Sequence, residues 1–310
     1  MKFTLKICLF LAFLNVSSYS QTVFEFLKLD ASPRAAALAG SFVAGSEDPN
    51  IIFYNPAGIG TLKEIPVSFS YIKHLLDVKM ASLSGSYEFQ GIGRFGLGIQ
   101  YISYGSFNEM SEDGVKTGEF TAGDYAFTLG YSNSLDENFY YGVNAKFIFS
   151  GLQDRSSTAL ACDFGLLYII PESNWSFGLS ALNIGNQLKA YYDTKEDLPL
   201  DVRIGLAKQF SGMPLKFYFS FNSLNEKNDN FFQHFKNFTF GGEIRLSKVL
   251  KARFGYNSQL HKDLKIGSTA GIAGLSLGVG ITVDKYIFDY SFSSLGPVGS
   301  MHRFGLSTSL

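Results

Sequence analysis

The chain has 310 residues, 46% of them hydrophobic, 16% aromatic and only 17% charged, with 32 glycines and a formal net charge of −1. Globular chains carry about 25% charged residues, yet disorder would need few aromatics and a high net charge, and a charge near zero gives no electrostatic footing for nucleic acid. Two cysteines exclude a disulfide framework and a Cys-rich zinc site, so abundant Phe, Tyr and Gly with few charges point to β-structure in an unusual solvent.

The first twenty residues predict an address. Lys2 and Lys6 precede a ten-residue apolar stretch, Ile7 to Val16, and Ser18 and Ser20 stand at the −3 and −1 positions of a cut before Gln21. A charged start, a short apolar middle and a small-residue cut describe a secretory signal peptide; ten residues are too few to span a bilayer as a helix. Its removal leaves 24 basic residues against 27 acidic ones, and Cys162 as the one cysteine, so no disulfide forms within the mature chain.

Residues 21–64 form a second unit. Ser32-Pro33 predicts an N-cap followed by Pro in the first helical turn, with Ala35 to Gly40 behind it. Asp48-Pro49-Asn50 and Asn55-Pro56-Ala57-Gly58 are turn signals. Such a segment either plugs a barrel or lies beneath it.

From residue 65 to 310 the hydropathy alternates with period two. Tyr125, Phe127, Leu129 and Tyr131 interleave with Ala126, Thr128, Gly130 and Ser132; Leu275, Leu277, Val279, Ile281 and Val283 do so with Ser276, Gly278, Gly280, Thr282 and Asp284. Alternate side chains on a strand face opposite ways. The pattern predicts fourteen strands, with cores at 65–73, 79–89, 94–104, 123–133, 139–150, 158–170, 174–184, 199–209, 214–224, 237–247, 250–258, 269–284, 285–294 and 301–310. One set of connections is short (90–93, 134–138, 171–173, 210–213, 248–249, 284–285). The other is mostly longer: 74–78, which is short, then 105–122, 151–157, 185–198, 225–236, 259–268 and 295–300. An even strand count, segregated loop lengths and outward Phe and Tyr predict a fourteen-stranded antiparallel transmembrane β-barrel in a bacterial outer membrane. The last strand ends on Leu310, where such barrels usually carry an aromatic.

Assigning the lipid face fixes the inner one, which collects Lys146, Asp163, Arg203, Glu243, Arg245, Arg253, Asp289 and Arg303. A basic side chain facing lipid at the midplane costs about 2–4 kcal/mol, so these point inward, as a polar channel or ligand-binding lumen or, preferably, as a network of paired charges that fills the barrel and fixes register. Glu243 and Arg245, neighbours on one strand face, suit the paired network; Cys162 falls in phase with Leu160, Phe164 and Leu166 and faces lipid. In the loops, Tyr191, Tyr192, Phe231, Phe232 and Phe235 meet a partner, sit at the headgroup level or belong to loops folded onto themselves.

Gly91-Ile92-Gly93-Arg94-Phe95-Gly96 matches G-x-G-x-x-G, but a strand follows it where a dinucleotide site needs a helix. His74, His234, His261 and His302 all map to the long-loop side without any nucleophile motif. The sequence therefore predicts no enzyme, no cofactor and no metal.

Ser32-Pro33-Arg34-Ala35-Ala36-Ala37-Leu38-Ala39-Gly40, then Asp48-Pro49-Asn50 and Asn55-Pro56-Ala57-Gly58, resemble the PorV/PorQ family, within the wider group of long-chain fatty-acid transporter-like barrels. The length is closer to PorQ-like members. The resemblance implies a non-enzymatic part in the type IX secretion system, anchoring a surface attachment complex with PorZ-like, PorU-like and PorV-like partners at the long-loop face. It carries over Asn55, Pro56, Ala57 and Gly58 in a structural role. The alternative is transport of hydrophobic compounds such as long-chain fatty acids, as in the transporter relatives.

Overall fold

A computed structural model describes residues 22–226, 235–264 and 271–310. The expected signal peptide, Phe231, Phe232 and His234 lie outside the described residues.

Fourteen antiparallel strands close into one barrel: β1 Pro66–Lys73, β2 Lys79–Phe89, β3 Gly93–Met110, β4 Lys116–Asp136, β5 Phe139–Leu152, β6 Arg155–Ile170, β7 Trp175–Lys189, β8 Asp201–Gln209, β9 Leu215–Phe221, β10 Phe238–Arg245, β11 Leu250–Asn257, β12 Leu275–Val283, β13 Tyr286–Ser294 and β14 Ser300–Ser309. Each strand pairs with its sequence neighbours, and β1 pairs with β14 from Pro66↔Ser309 to Lys73↔His302, which removes the free edge. The alternation behaves as the sequence predicts. Phe69, Leu97, Leu129, Phe164, Leu277 and Phe304 are exposed on the outside, whereas Ser68, Ser70, Ser82, Ser84, Ser132 and Ser291 are buried on the inside. No helix among the described residues is long and apolar enough to cross a membrane, so any crossing falls to the strands. Cys162 is exposed on the outer face, in phase with Leu160 and Phe164.

Two of the expected long loops are mostly strand. Residues 105–122 pair across β3 and β4 up to Met110↔Lys116, with Phe107 stacked on Phe120 at 5.4 Å, and 151–157 shrink to the turn Gln153-Asp154 between β5 and β6. Alternation marks a strand that has one apolar face. A hairpin projecting into water has none, so its Asn, Glu, Lys and Thr read as loop although the backbone ladder continues. The expected strand at 269–284 starts only at Leu275, after a turn at 271–274.

Residues Thr22 to Glu64 run through the inside of this cylinder, from the long-loop end to the short-turn end. At the upper end the Val23 amide donates to the Asp197 carbonyl in the β7–β8 connection, 3.1 Å. Lower down, wall side chains hold plug carbonyls: Ser82 Oγ donates to Ala31 O (2.7 Å), Asn144 Nδ2 to Ile52 O (2.9 Å), Ser132 Oγ to Ala57 O (3.0 Å) and Arg94 to Glu64 O (2.9 Å).

Candidate functional site

The plug is built on one local rule used three times: a capping side chain, then proline. Ser32 Oγ accepts from the Ala35 amide at the start of α1 (Pro33–Ala37); Asp48 accepts from Asn50 N (2.9 Å) ahead of a 3₁₀ turn, Pro49–Phe53; Asn55 accepts from Ala57 N (3.1 Å) ahead of another, Pro56–Thr61. Proline presets φ at the first helical position and sacrifices an amide that has no partner there. These short pieces are too small to stand alone in water. Their stability comes from the wall.

The wall receives them with glycines paired across neighbouring strands. Gly142 and Gly165 are register partners on β5 and β6, and the Asn55-Pro56 turn presses on both. A methyl on Gly142 would lie 2.5 Å from Ala57 N, and one on Gly165 would run into Asn55 Oδ1 and sit 2.8 Å from Pro56 Cδ. Gly178 and Gly205, partners on β7 and β8, take Val43 in the same way; Gly241 and Gly255, partners on β10 and β11, take Leu38 and Ala39; Gly96 and Gly130, partners on β3 and β4, take Ile52 and Ile59. Asn55 is fully buried and its Nδ2 donates to Val43 O (2.8 Å) and to Leu166 O on β6 (3.0 Å), tying plug to plug and plug to wall. Asn55, Pro56, Ala57 and Gly58 are thus the seat of the plug, with Gly58 itself packed against Ile51.

On the inner face the charged side chains find partners in the plug and on nearby strands. Lys146 pairs with Asp163 at 2.9 Å, both buried, beside a β-bulge where Asn183 (φ 62°) donates its amide to Asp163 Oδ1 and accepts from Lys146. Arg253 pairs with Glu243 (2.6 Å) and Asp289 (2.5 Å). Arg203 pairs with Asp201, two residues before it. Glu243 does not pair with Arg245. It is held instead by Arg253 and by Arg34 of the plug (3.0 Å), which also reaches Asp48 at 3.4 Å. Arg245 is exposed at the short-turn mouth. Arg303 is buried and donates to Asp30 O (3.2 Å) and Ser293 Oγ (3.0 Å), and no carboxylate ion pair forms on it among the described residues. Arg34, Asp48, Asp201 and Asn183 escape a strand-by-strand reading, because they sit in the plug, at a strand's first residue or on a bulge.

One side of the upper lumen, on β1 to β6, is apolar. Ile72, Met80, Ile102, Ala126, Ile148, Ala159 and Ala161, inward on β1 to β6, form one buried cluster with Phe24, Phe26, Ile51, Ile52 and Tyr54 of the plug, and Val23 and Leu27 pack against it. Phe24 takes a left-handed backbone (φ 61°) to enter this recess. The lumen is therefore divided by side, with an apolar recess on β1 to β6 filled by the start of the plug and charged residues on β8 to β14, among which Asp201, Arg203 and Arg303 stand near the long-loop end.

At the long-loop rim, Tyr191 and Asp124 both bond Ser150 Oγ, and Tyr104 donates to Asp124 at 2.7 Å, so this loop is tied to β3, β4 and β5. Tyr192 is exposed, under the Arg155 guanidinium at 4.3 Å, while Phe235 packs edge-on against Phe221 at 4.9 Å. His74, His261 and His302 lie at this end on separate elements, His302 accepting or donating to the Tyr290 hydroxyl at 2.9 Å. Among the described residues no three His, Cys, Asp or Glu side chains gather as a metal site. The Gly91 to Gly96 motif is the β2–β3 hairpin.

No protein-family model matches the sequence, and no curated protein matches it. Solved structures share its fold. The toluene transporter TbuX of Ralstonia pickettii superposes with a TM-score of 0.59 at 12% identity, over 90% of this chain and 98% of that one. A Pseudomonas aeruginosa FadL homologue gives 0.56 at 10% identity, over 89% and 97%. The Pseudomonas putida toluene transporter TodX gives 0.55 at 13% identity, over 93% and 99%.

Proposed function

We propose that this chain is a non-enzymatic outer-membrane barrel that passes hydrophobic small molecules, with Thr22 to Glu64 as its plug. The apolar recess carries this reading. A wall of Ile72, Met80, Ile102 and Ile148 lines one side of the upper lumen, and the outermost piece packed on it, Val23 to Leu27, is tied to the β7–β8 connection by a strand-like bridge. Drawing that segment aside leaves an apolar pocket of the kind that binds small hydrophobic ligands. The named functions of TbuX and TodX, toluene transporters with the same fold, support the reading. By the usual orientation of such barrels the short turns face the periplasm and the hairpins face outward. The test is uptake of labelled toluene and of labelled long-chain fatty acid by cells with and without the gene; equal uptake of both refutes it.

A second reading, the type IX attachment-complex subunit, draws on one observation: the β3–β4 hairpin runs on to Met110 and Lys116 beyond the apolar band, and Tyr192 is exposed at the same end. A surface-anchored partner would pair there. Removing residues 105–122 then releases secreted proteins from the cell surface, whereas unchanged attachment refutes it.

A further inference from the structure

The lower lumen carries a cavity of about 250 Å³ that opens at the short-turn end, between the plug and the starts or ends of β8, β9, β10, β11, β13 and β14. Five basic side chains line it: Arg34, Lys216, Arg245, Lys251 and Arg253. Two of them are spoken for. Arg34 and Arg253 share Glu243, and each has a second carboxylate, Asp48 and Asp289.

The other three are not. Lys216 stands directly across from Glu243 in the β9–β10 register, yet that carboxylate is taken by the two guanidiniums, and the Lys216 ammonium lies over the Tyr218 ring at 5.4 Å. Arg245 and Lys251 are register partners on β10 and β11, so two cations oppose each other on the same inward face. Like charges directly opposite on a sheet are destabilising. Among the described residues no carboxylate comes within 4 Å of Lys216, Arg245 or Lys251; the fourth acid of the lining, Glu47, makes no ion pair there. Three neighbouring strands thus aim three cations at one polar space. Water fills about 30 Å³ per molecule, so there is room for a tetrahedral oxyanion with some of its hydration.

We infer that this vestibule is a binding site for a phosphate group, held between Lys216, Arg245 and Lys251. An anion there converts the repulsive pair into two charge-assisted hydrogen bonds, the guanidinium giving a planar fork and the ammoniums point contacts. Neither the site nor its test depends on what the apolar recess carries, since the two lie at opposite ends of the lumen. The phosphate comes either from solution or from a phospholipid headgroup at the bilayer surface beside the mouth.

The experiment uses the full mature chain in dodecyl maltoside micelles, which carry no phosphate, with inorganic phosphate titrated calorimetrically at constant ionic strength. Saturable binding is expected, weakened about tenfold or more by Lys216→Gln with Lys251→Gln, the loss of two charge-assisted contacts. A structural role is separated by thermal unfolding followed through Trp175. In phosphate-free chloride the double variant should unfold no lower than the parent, because a repulsion has been relieved, and phosphate should raise the parent alone. Adding phosphatidylglycerol to the micelles distinguishes the sources: competition with phosphate assigns the headgroup, and no competition assigns the soluble ion. Absence of saturable binding in the phosphate-free micelles, or equal binding by parent and variant, overturns the inference. So does a variant that is destabilised in chloride and still gains from phosphate as the parent does.

Discussion

Substituting Gly165→Ala should loosen the plug while leaving the barrel closed. The added methyl would run into Asn55 Oδ1 and lie 2.8 Å from Pro56 Cδ, so the Asn55-Pro56 turn must retreat from β6. Overpacking of this kind costs about 1–3 kcal/mol. Retreat also strains the three bonds of the buried Asn55 amide, to Val43 O, Leu166 O and Ala57 N, each with a net worth of about 1 kcal/mol. Together the penalty is about 2–5 kcal/mol, and it falls on seating the plug, since β5 and β6 keep their ladder. At tenfold per 1.4 kcal/mol the displaced population rises about 30-fold at the least. Trypsin reports it, because Lys28, Arg34 and Lys63 lie in the plug, and cleavage of a transiently opened segment tracks its population. Gly151→Ala is the control, its nearest atoms being 3.6 Å or more from the new methyl. The circular dichroism and gel mobility of the folded barrel should be unchanged in both. If plug cleavage in Gly165→Ala runs at the rate of Gly151→Ala, the paired-glycine seat is wrong.

Four further outcomes follow from the same geometry. Lys146→Met strands Asp163, which is fully buried, and should destabilise the barrel by about 3–5 kcal/mol in denaturant unfolding; Lys146→Met with Asp163→Asn should recover much of that loss. Leu277→Arg puts a cation on the outer face and should cost about 2–4 kcal/mol when folding into bilayers is measured, so a neutral result would contradict a lipid-facing assignment. Cys162 in bilayers should react with a lipid-soluble maleimide and resist a charged thiol reagent; preferential labelling by the charged one would place it on the wrong face. Phe24→Ser with Phe26→Ser should free the recess and raise uptake of labelled toluene over the parent, and unchanged uptake would show that this segment does not obstruct passage.

Local hydropathy was enough to specify the strands, their number and their two faces. Period-two alternation is local physics: it needs only the pleat and a solvent that rewards one face, and both hold at the strand cores from β1 to β14. The three proline turns of the plug were equally legible, since Ser32, Asp48 and Asn55 cap the backbone two or three residues ahead of themselves. The hairpins at 105–122 and 151–157 were not, because in water neither face is selected. Barrel closure, by contrast, places Thr22 to Glu64 inside, brings Gly142 to Gly165 beneath Pro56, and gives Glu243 to Arg34, 209 residues away, in place of its neighbour Arg245. Those choices depend on which side chains closure brings face to face across the lumen. Closure is set by the register of the whole ring, and no window of sequence contains it.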